Sequence, residues 1–231
     1  MNDCLNADKN SNCEKPSGFV GAQHEFHDQA YIEDWATRFM PTPDRLNLFN
    51  TMIERLSCNS LPHRHIVELG TGPGYLAEHI LARIPDITYE CVDFSQPMLG
   101  IAEKRLSQYR NRLRLTQADL LSSDWTAKLM HPVGAFVSTW ALHDLGGQAE
   151  TAKVYRDCYE VLAVGGVLLN GDFVKPDDTE FEYEPGRFPV SRHLELLESA
   201  GFRSRQMLIF LEHELLNPTS AQNYACMEGI A

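Results

Sequence analysis

Residues 65–76, which read HIVELGTGPGYL, decide the fold. Their first five positions are mostly apolar and include adjacent β-branched residues, which predicts a strand buried on both faces. Three alternating glycines follow, where the backbone can turn tightly and a ligand can approach the bare main chain. Apolar residues spaced three and four apart then predict a helix: these are Ala77, Ile80, Leu81 and Ile84. A strand, a glycine turn and a helix in this order are typical of a nucleotide-type cofactor site.

The details of this segment narrow the choice of ligand. It lacks the G-x-G-x-x-G fingerprint of dinucleotide-binding folds. Glu68 stands at the end of the strand, beside the glycine turn. Its carboxylate would repel a pyrophosphate, whereas it suits a ligand that carries an ammonium and a sulfonium. These properties point to S-adenosylmethionine.

The segment ELGTGPG resembles motif I, E/D-x-G-x-G-x-G, of the class I S-adenosylmethionine-dependent methyltransferases. The resemblance implies that residues of this turn hold the cofactor and later its product, S-adenosylhomocysteine. These residues are Glu68, Gly70, Thr71, Gly72 and Gly74. Glycine turns of this kind also occur with a purely structural role, so the assignment depends on the rest of the chain.

Downstream of the turn, short apolar runs alternate with segments of helical spacing. Strands are predicted near residues 64–69, 87–93, 112–117, 133–139 and 165–173, and helices near 74–84, 96–109, 122–130, 147–162 and 190–200. The alternation predicts right-handed βαβ units, hence a Rossmann-like, doubly wound α/β sheet that is mostly parallel. Two last strands, 202–211 and 223–230, have no helix between them and predict an antiparallel hairpin at one edge. The resemblance likewise implies seven strands with an antiparallel final strand.

Three regions are predicted along the chain. Residues 1–18 are polar and are expected to form a flexible tail. Residues 19–60 are expected to form an N-terminal helical cap, and residues 61–231 the cofactor-binding domain. Because the link after the fifth strand is short, the cap is the natural substrate lid, with Tyr31 and Trp35 facing the acceptor. The alternative is that these aromatic side chains simply anchor the first helix to the sheet.

An acidic residue, Asp93, ends the second predicted strand. It follows the glycine turn at about the separation at which a carboxylate reaches the ribose hydroxyls in doubly wound folds. The alternative is that Asp93 only favours the positive end of the next helix. The family pattern D-x-S-x-x-M-L recurs from this residue onward, which implies that Phe94 and Met98 line the adenine pocket. Ordinary core packing is the alternative for those two side chains.

The third and fourth strand ends complete the predicted site. By the same resemblance, Asp119 accepts a hydrogen bond from the adenine amino group, and Leu120 donates its backbone N–H to the ring. Trp140 is expected near the methionine part of the cofactor. His143 is the titratable side chain best placed to act as general base. Its alternative role is structural, and Asp144 either orients it or stays solvated.

Composition excludes several classes of partner. The chain of 231 residues carries a formal net charge of −12, which argues against binding a nucleic-acid backbone. No stretch approaches the roughly 20 apolar residues of a membrane span. The polar N-terminal residues lack the apolar run of a signal peptide, so the cytoplasm is the expected compartment. No cluster of His, Asp or Glu has metal-ligand spacing, and no metal is expected.

These observations favour methyl transfer from S-adenosylmethionine to an oxygen or nitrogen of a small-molecule metabolite. The absence of an N/D-P-P-Y/F tetrapeptide after the fourth strand disfavours amino-methylation of adenine or glutamine. Two alternatives stay open because fold does not determine chemistry. One is a non-catalytic module that binds the cofactor and regulates. The other is transfer of another group, such as the aminopropyl group of decarboxylated S-adenosylmethionine; a nicotinamide dehydrogenase is a weaker third.

Overall fold

A computed structural model describes residues 24–58, 60–178, 182–211 and 223–231. The tail predicted over residues 1–18 lies outside these ranges. The strands are β1 (His65–Leu69), β2 (Thr88–Asp93), β3 (Leu113–Gln117), β4 (Val133–Thr139), β5 (Leu162–Val174), β6 (Ser204–Leu211) and β7 (Asn223–Ile230).

These strands form one seven-stranded sheet in the order β3-β2-β1-β4-β5-β7-β6. The first five strands pair in parallel. The last strand, β7, lies between β5 and β6 and is antiparallel to both. The predicted doubly wound, mostly parallel sheet with an antiparallel final hairpin is therefore confirmed.

Six α-helices accompany the sheet. They are α1 (Gln29–Arg38), α2 (Pro43–Cys58), α3 (Tyr75–Arg83), α4 (Gln96–Arg105), α5 (Gln148–Val161) and α6 (Val190–Ala200). Among the residues that the structure describes, no helix is both long and apolar enough to cross a membrane.

The helix predicted over residues 122–130 is wrong. The structure has only a 3-10 turn there, Trp125–Lys128. The preceding residues bond locally instead: Leu121 donates its N–H to the Asp119 carboxylate at 2.8 Å, and the Ser122 hydroxyl donates to the Asp119 carbonyl at 2.8 Å. Such side-chain bonds compete with a continuous helix. The helix predicted over 96–109 also ends earlier, at Arg105.

Helices cover both faces of the sheet, and each face has its own apolar core. Alternate strand residues point to opposite sides, so Ile66 joins the core under α2, α3 and α4, while Val67 joins the core under α5 and α6. Burial of both faces explains why the parallel strands are almost continuously apolar.

The N-terminal helices begin at residues that favour helix starts. The Asp28 side chain accepts a hydrogen bond from the Tyr31 N–H at 2.8 Å and caps α1. Pro43 is the first residue of α2, where its missing N–H costs nothing. The Arg55 guanidinium on α2 pairs with the fully buried Glu228 carboxylate on β7. This ion pair ties α2 to the antiparallel part of the sheet.

Candidate active site

The glycine turn lies where the carboxyl ends of the parallel strands meet. Gly70, Gly72 and Gly74 all have left-handed backbones, with φ of 64°, 54° and 82°. A Cβ on Gly70 would come within 2.3 Å of the Ala141 Cβ, whereas a Cβ on Gly72 would meet nothing within 4 Å. The space above Gly72 is open, so a ligand can reach its bare backbone there.

Gly74 has a different surrounding. A Cβ on this residue would lie 3.2 Å from the Ala102 side chain and 3.3 Å from that of Leu106. Gly74 lines neither of the cavities described below and instead lets the start of α3 pack closely against α4.

The first cavity collects most of the residues predicted to bind the nucleoside. Its lining includes Asp93, Phe94, Met98, Asp119 and Leu120. These side chains come from the ends of β2 and β3 and from the first turn of α4. Ligands bind beyond the carboxyl ends of the strands in open α/β sheets, and this cavity has that position.

Asp93 also braces the glycine turn, a role that sequence reasoning missed. One carboxylate oxygen accepts the N–H of Gly72 at 2.8 Å, and the other accepts the N–H of Ser95 at 2.9 Å. Burial raises the pKa of Asp93 to about 6, against the opposing effect of these hydrogen bonds. Each carboxylate oxygen has a further lone pair, so the side chain can still accept from a ligand hydroxyl.

The second cavity adjoins the first: Gly70, Gly72 and Trp140 line both. Its wall on the strand side contains Glu68, Thr71, Trp140, His143, Asp144 and Phe173. The N-terminal helices supply an aromatic wall of Phe26, Trp35, Phe39 and Phe49, together with Arg45. Tyr31 lines neither cavity; its ring packs 5.9 Å from that of Phe26.

Glu68 lies at the floor of the second cavity and is only 1% exposed. Burial raises the pKa of its carboxyl to about 8, although the Tyr89 hydroxyl donates to it at 3.1 Å. The carboxyl therefore holds its proton near neutral pH unless a cation approaches. An ammonium group beside it would favour the ionised form.

His143 follows β4 on a 3-10 turn, Leu142–Leu145. Its Nδ1 lies 2.7 Å from one carboxylate oxygen of Asp172, and its backbone N–H donates to the other at 3.1 Å. Its Nε2 lies 3.3 Å from Asp144. Burial lowers the pKa of His143, but the Asp172 and Asp144 carboxylates outweigh burial and raise it.

Sequence reasoning missed Asp172. The residue is fully buried on β5, inside the run VLLNGDFV. An aspartate within such an apolar strand is a signal in itself, because buried carboxylates need a partner. The sequence could not say which partner, since His143 lies on a different element.

The backbone of His143 is held from the other side by Gly186. A Cβ on Gly186 would lie 1.7 Å from the His143 carbonyl oxygen and 2.5 Å from its carbonyl carbon. The segment before α6 therefore packs directly on the histidine turn, and only a glycine leaves room for that contact.

Trp140 adopts a left-handed backbone, with φ of 49°, which is uncommon for a large side chain. Its backbone N–H donates to the Gly171 carbonyl at 2.9 Å. The Arg45 guanidinium lies over its ring at 4.7 Å from the centroid. Sequence reasoning placed Trp140 at the site but missed Arg45.

Residues 67–168 match the sequence model of the methyltransferase domain family. This part of the chain therefore matches a methyltransferase domain, and it resembles the class I S-adenosylmethionine-dependent family. Demethylmenaquinone methyltransferase of Thermus thermophilus is 32% identical over 126 residues, which cover 54% of this chain and 54% of that protein. The chain thus spans about half the length of this curated relative.

Solved structures share the fold of the methyltransferase domain. The CurJ carbon methyltransferase superposes with a TM-score of 0.67 at 16% identity, covering 88% of this chain and 59% of that one. Human N-acetylserotonin methyltransferase, solved with S-adenosylmethionine, superposes with a TM-score of 0.63 at 15% identity, covering 91% and 60%. These likenesses confirm the predicted Rossmann-like fold.

The described residues fit S-adenosylmethionine, the cofactor with which a structural neighbour was solved. Open space lies over Gly72, and the two adjoining cavities can take the two ends of the molecule. Asp93 and Asp119 offer acceptors for the nucleoside, and Glu68 offers a carboxyl for the ammonium. Within the described ranges, no three His, Cys, Asp or Glu side chains group as a metal site requires.

Proposed function

We propose that this protein transfers a methyl group from S-adenosylmethionine to an oxygen or nitrogen of a small molecule. The observation that carries the proposal is the His143–Asp172 pair, with Nδ1 2.7 Å from the carboxylate, in the wall of the second cavity. A histidine oriented by a buried carboxylate is suited to remove a proton from an acceptor. The first cavity, where Asp93 and Asp119 lie, is assigned to the nucleoside.

The residues of the chain do three things in this mechanism. Asp172 accepts the Nδ1–H of His143, which leaves Nε2 as the nitrogen that takes the acceptor's proton. When bound, S-adenosylmethionine supplies an electrophilic methyl group on a sulfonium. The aromatic wall excludes water and holds the acceptor near that group, so that alignment supplies most of the rate. Asp144, 3.3 Å from Nε2, stabilises the imidazolium that results.

The N-terminal helices act as the lid over the acceptor in this proposal. Trp35 lines both cavities, and Phe39 stacks on it with ring centroids 4.5 Å apart. A wall of this kind favours a flat acceptor, since offset rings pack well against it. Tyr31 then acts indirectly, by supporting Phe26.

A carbon acceptor is the second candidate. One solved neighbour is described as a carbon methyltransferase, and the curated relative is named for demethylmenaquinone. A carbon acceptor, like a hydroxyl or an amine, must lose a proton when it is methylated, and His143 is placed to take that proton. Mass spectrometry and NMR of the methylated product distinguish a new O–CH3 or N–CH3 from a new C–CH3.

The proposal is tested by binding and turnover measured side by side. We expect S-adenosylhomocysteine to bind with a micromolar dissociation constant in calorimetry, and NAD not to bind. In His143→Ala we expect unchanged cofactor affinity and a loss of turnover of about a hundredfold or more, measured with methyl-labelled cofactor and a panel of phenols and amines.

Exposed His131→Ala serves as the matched control and should keep full turnover. Cofactor binding without turnover of any acceptor would favour the regulatory module. No binding of S-adenosylhomocysteine by the wild type would refute the proposal altogether.

A further inference from the structure

Two residues that line the second cavity each hold a buried hydrogen-bond donor without a partner. These donors are the Nε of Arg45 and the indole Nε1 of Trp140. The guanidinium is stacked over the indole ring at 4.7 Å. Buried polar groups in native proteins are nearly always bonded, so an unmatched pair of donors calls for an acceptor that belongs to a ligand.

The positive charge of Arg45 also indicates that the ligand supplies an acceptor here, and that this acceptor is an anion. Its Nη1 donates to the Phe39 carbonyl at 3.3 Å, and the guanidinium hydrogen-bonds the Tyr224 side chain. Among the residues that the structure describes, no carboxylate lies within 4 Å of its nitrogens. The other basic side chain of this cavity, His143, is already matched by Asp144 and Asp172. Arg45 is thus a cation that lines this cavity and has no anionic partner among the described residues.

The proposed cofactor has one anionic group. Its nucleoside is assigned to the first cavity, so its amino-acid end extends into the second, past Gly70 and Gly72, which line both. That end carries an ammonium and a carboxylate. Glu68 matches the ammonium, and Arg45 and Trp140 match the carboxylate with a positive charge and two N–H donors.

We propose that Arg45 and Trp140 bind the amino-acid carboxylate of S-adenosylmethionine and make the site selective for the carboxylated cofactor over its decarboxylated derivative. The inference rests on the function proposed above. It also opposes transfer of an aminopropyl group, because that reaction starts from the derivative without a carboxylate. The shared chemistry is a carboxylate, and an acidic acceptor is the other source that the experiment must separate.

The test measures equilibrium binding by calorimetry, with no turnover. The ligands are S-adenosylhomocysteine and its decarboxylated analogue, which keeps the nucleoside, thioether and ammonium. For the wild type we expect the decarboxylated analogue to bind about tenfold to a hundredfold more weakly. In Arg45→Gln we expect S-adenosylhomocysteine to weaken by a similar factor, while the affinity for the analogue changes less than about twofold.

Two further variants sharpen the assignment. Trp140→Phe keeps an aromatic ring but removes the N–H and part of the indole surface, so we expect a smaller, severalfold loss that is larger for the carboxylated ligand than for the analogue. Arg38→Gln is the matched control, because Arg38 is an exposed α1 arginine paired with Asp34 at 2.7 Å. It should leave both affinities unchanged.

The outcomes separate this inference from the function itself. If the wild type does not bind S-adenosylhomocysteine, both proposals fail. If the wild type binds it but Arg45→Gln weakens both ligands equally, the arginine only supports the aromatic wall and the inference alone is refuted. If neither affinity changes while turnover of acidic acceptors is lost selectively, the carboxylate belongs to the acceptor, and the inference is again refuted.

Discussion

At the scale of single residues, carboxyl groups with different surroundings divide the work of the site. Glu68 is buried beside a neutral hydroxyl, and its pKa is raised to about 8. Asp93 is buried too, but two backbone N–H groups oppose the effect of burial. Asp172 faces a histidine and orients it. The same functional group therefore serves as a neutral acid, a brace and a charged partner because of what surrounds it.

The pH dependence of turnover tests the third of these roles. The pKa of His143 is raised, so the imidazole is protonated below that pKa and cannot accept a proton. We expect kcat/KM to rise with pH through the His143 pKa and then level off. In Asp172→Asn the acidic limb should shift to lower pH, because one of the charges that raise this pKa is gone. The plateau should fall by roughly tenfold or more.

Two measurements complete this prediction. The pH profile of Asp86→Asn, a control at an exposed turn, should match that of the wild type. Titration of the His143 ring by NMR should show the same downward shift as the kinetic limb. An acidic limb that stays in place in Asp172→Asn would show that another group controls turnover.

At the scale of elements, the histidine turn is held between β5 and the segment before α6. Asp172 of β5 holds the side chain and the N–H of His143, while Gly186 packs on its carbonyl. The geometry of the proposed base thus depends on two elements that do not line the nucleoside cavity, although Asp144 and Leu145 of the histidine turn do line it. Because of this partial separation, a change in either element should affect turnover more than cofactor binding.

Gly186→Ala tests that separation. Its Cβ would need to occupy a point 1.7 Å from the His143 carbonyl oxygen, so the histidine turn must move. We expect kcat to fall by about tenfold to a hundredfold, since ångström-scale displacement of a catalytic group has effects of that size. The affinity for S-adenosylhomocysteine should fall by a smaller factor than kcat, because only Asp144 and Leu145 of the turn line the nucleoside cavity.

Gly100→Ala is the matched control for this substitution. A Cβ there meets nothing within 4 Å, and the residue lies within α4, where alanine is favoured over glycine. Turnover should be unchanged and the melting temperature equal or higher. Equal turnover in Gly186→Ala and wild type would show that the turn does not depend on this contact.

At the scale of the whole molecule, the sequence predicts those features that are formed by residues close together along the chain. The strand, glycine turn and helix at residues 65–84 are local, and so is the acidic residue that ends β2. Residues 122–124 show where periodicity fails: the Asp119 carboxylate and the Ser122 hydroxyl bond to backbone groups just before the predicted helix, and such bonds compete with a helix. The partnership of Asp172 with His143, and the stacking of Arg45 on Trp140, join distant segments. Such contacts exist only once the sheet has assembled.

The stability of the whole fold should depend on pH because of the buried Glu68 carboxyl. The pKa of Glu68 is about 8 in the folded protein, whereas its ordinary value, taken for the unfolded chain, is 4.5. Between pH 4.5 and pH 8 the folded state therefore holds a proton that the unfolded state has lost. The free energy of unfolding of the unliganded protein therefore receives a contribution that falls as pH rises from about 4.5 to about 8. Glu68→Gln removes the ionisation. We expect the variant to gain stability relative to wild type as pH rises through this range, on the order of 4 kcal/mol at pH 8.

Urea unfolding at pH 5, 6.5 and 8 measures this difference, and Glu103→Gln, an exposed residue of α4, should show none. Wild-type and Glu68→Gln curves that stay parallel across the three pH values would exclude the effect. The same ionisation couples stability to the ligand, because an ammonium beside Glu68 favours the charged carboxylate that burial opposes. S-adenosylhomocysteine should therefore stabilise the wild type more at pH 8 than at pH 6, and this extra stabilisation should be absent from Glu68→Gln.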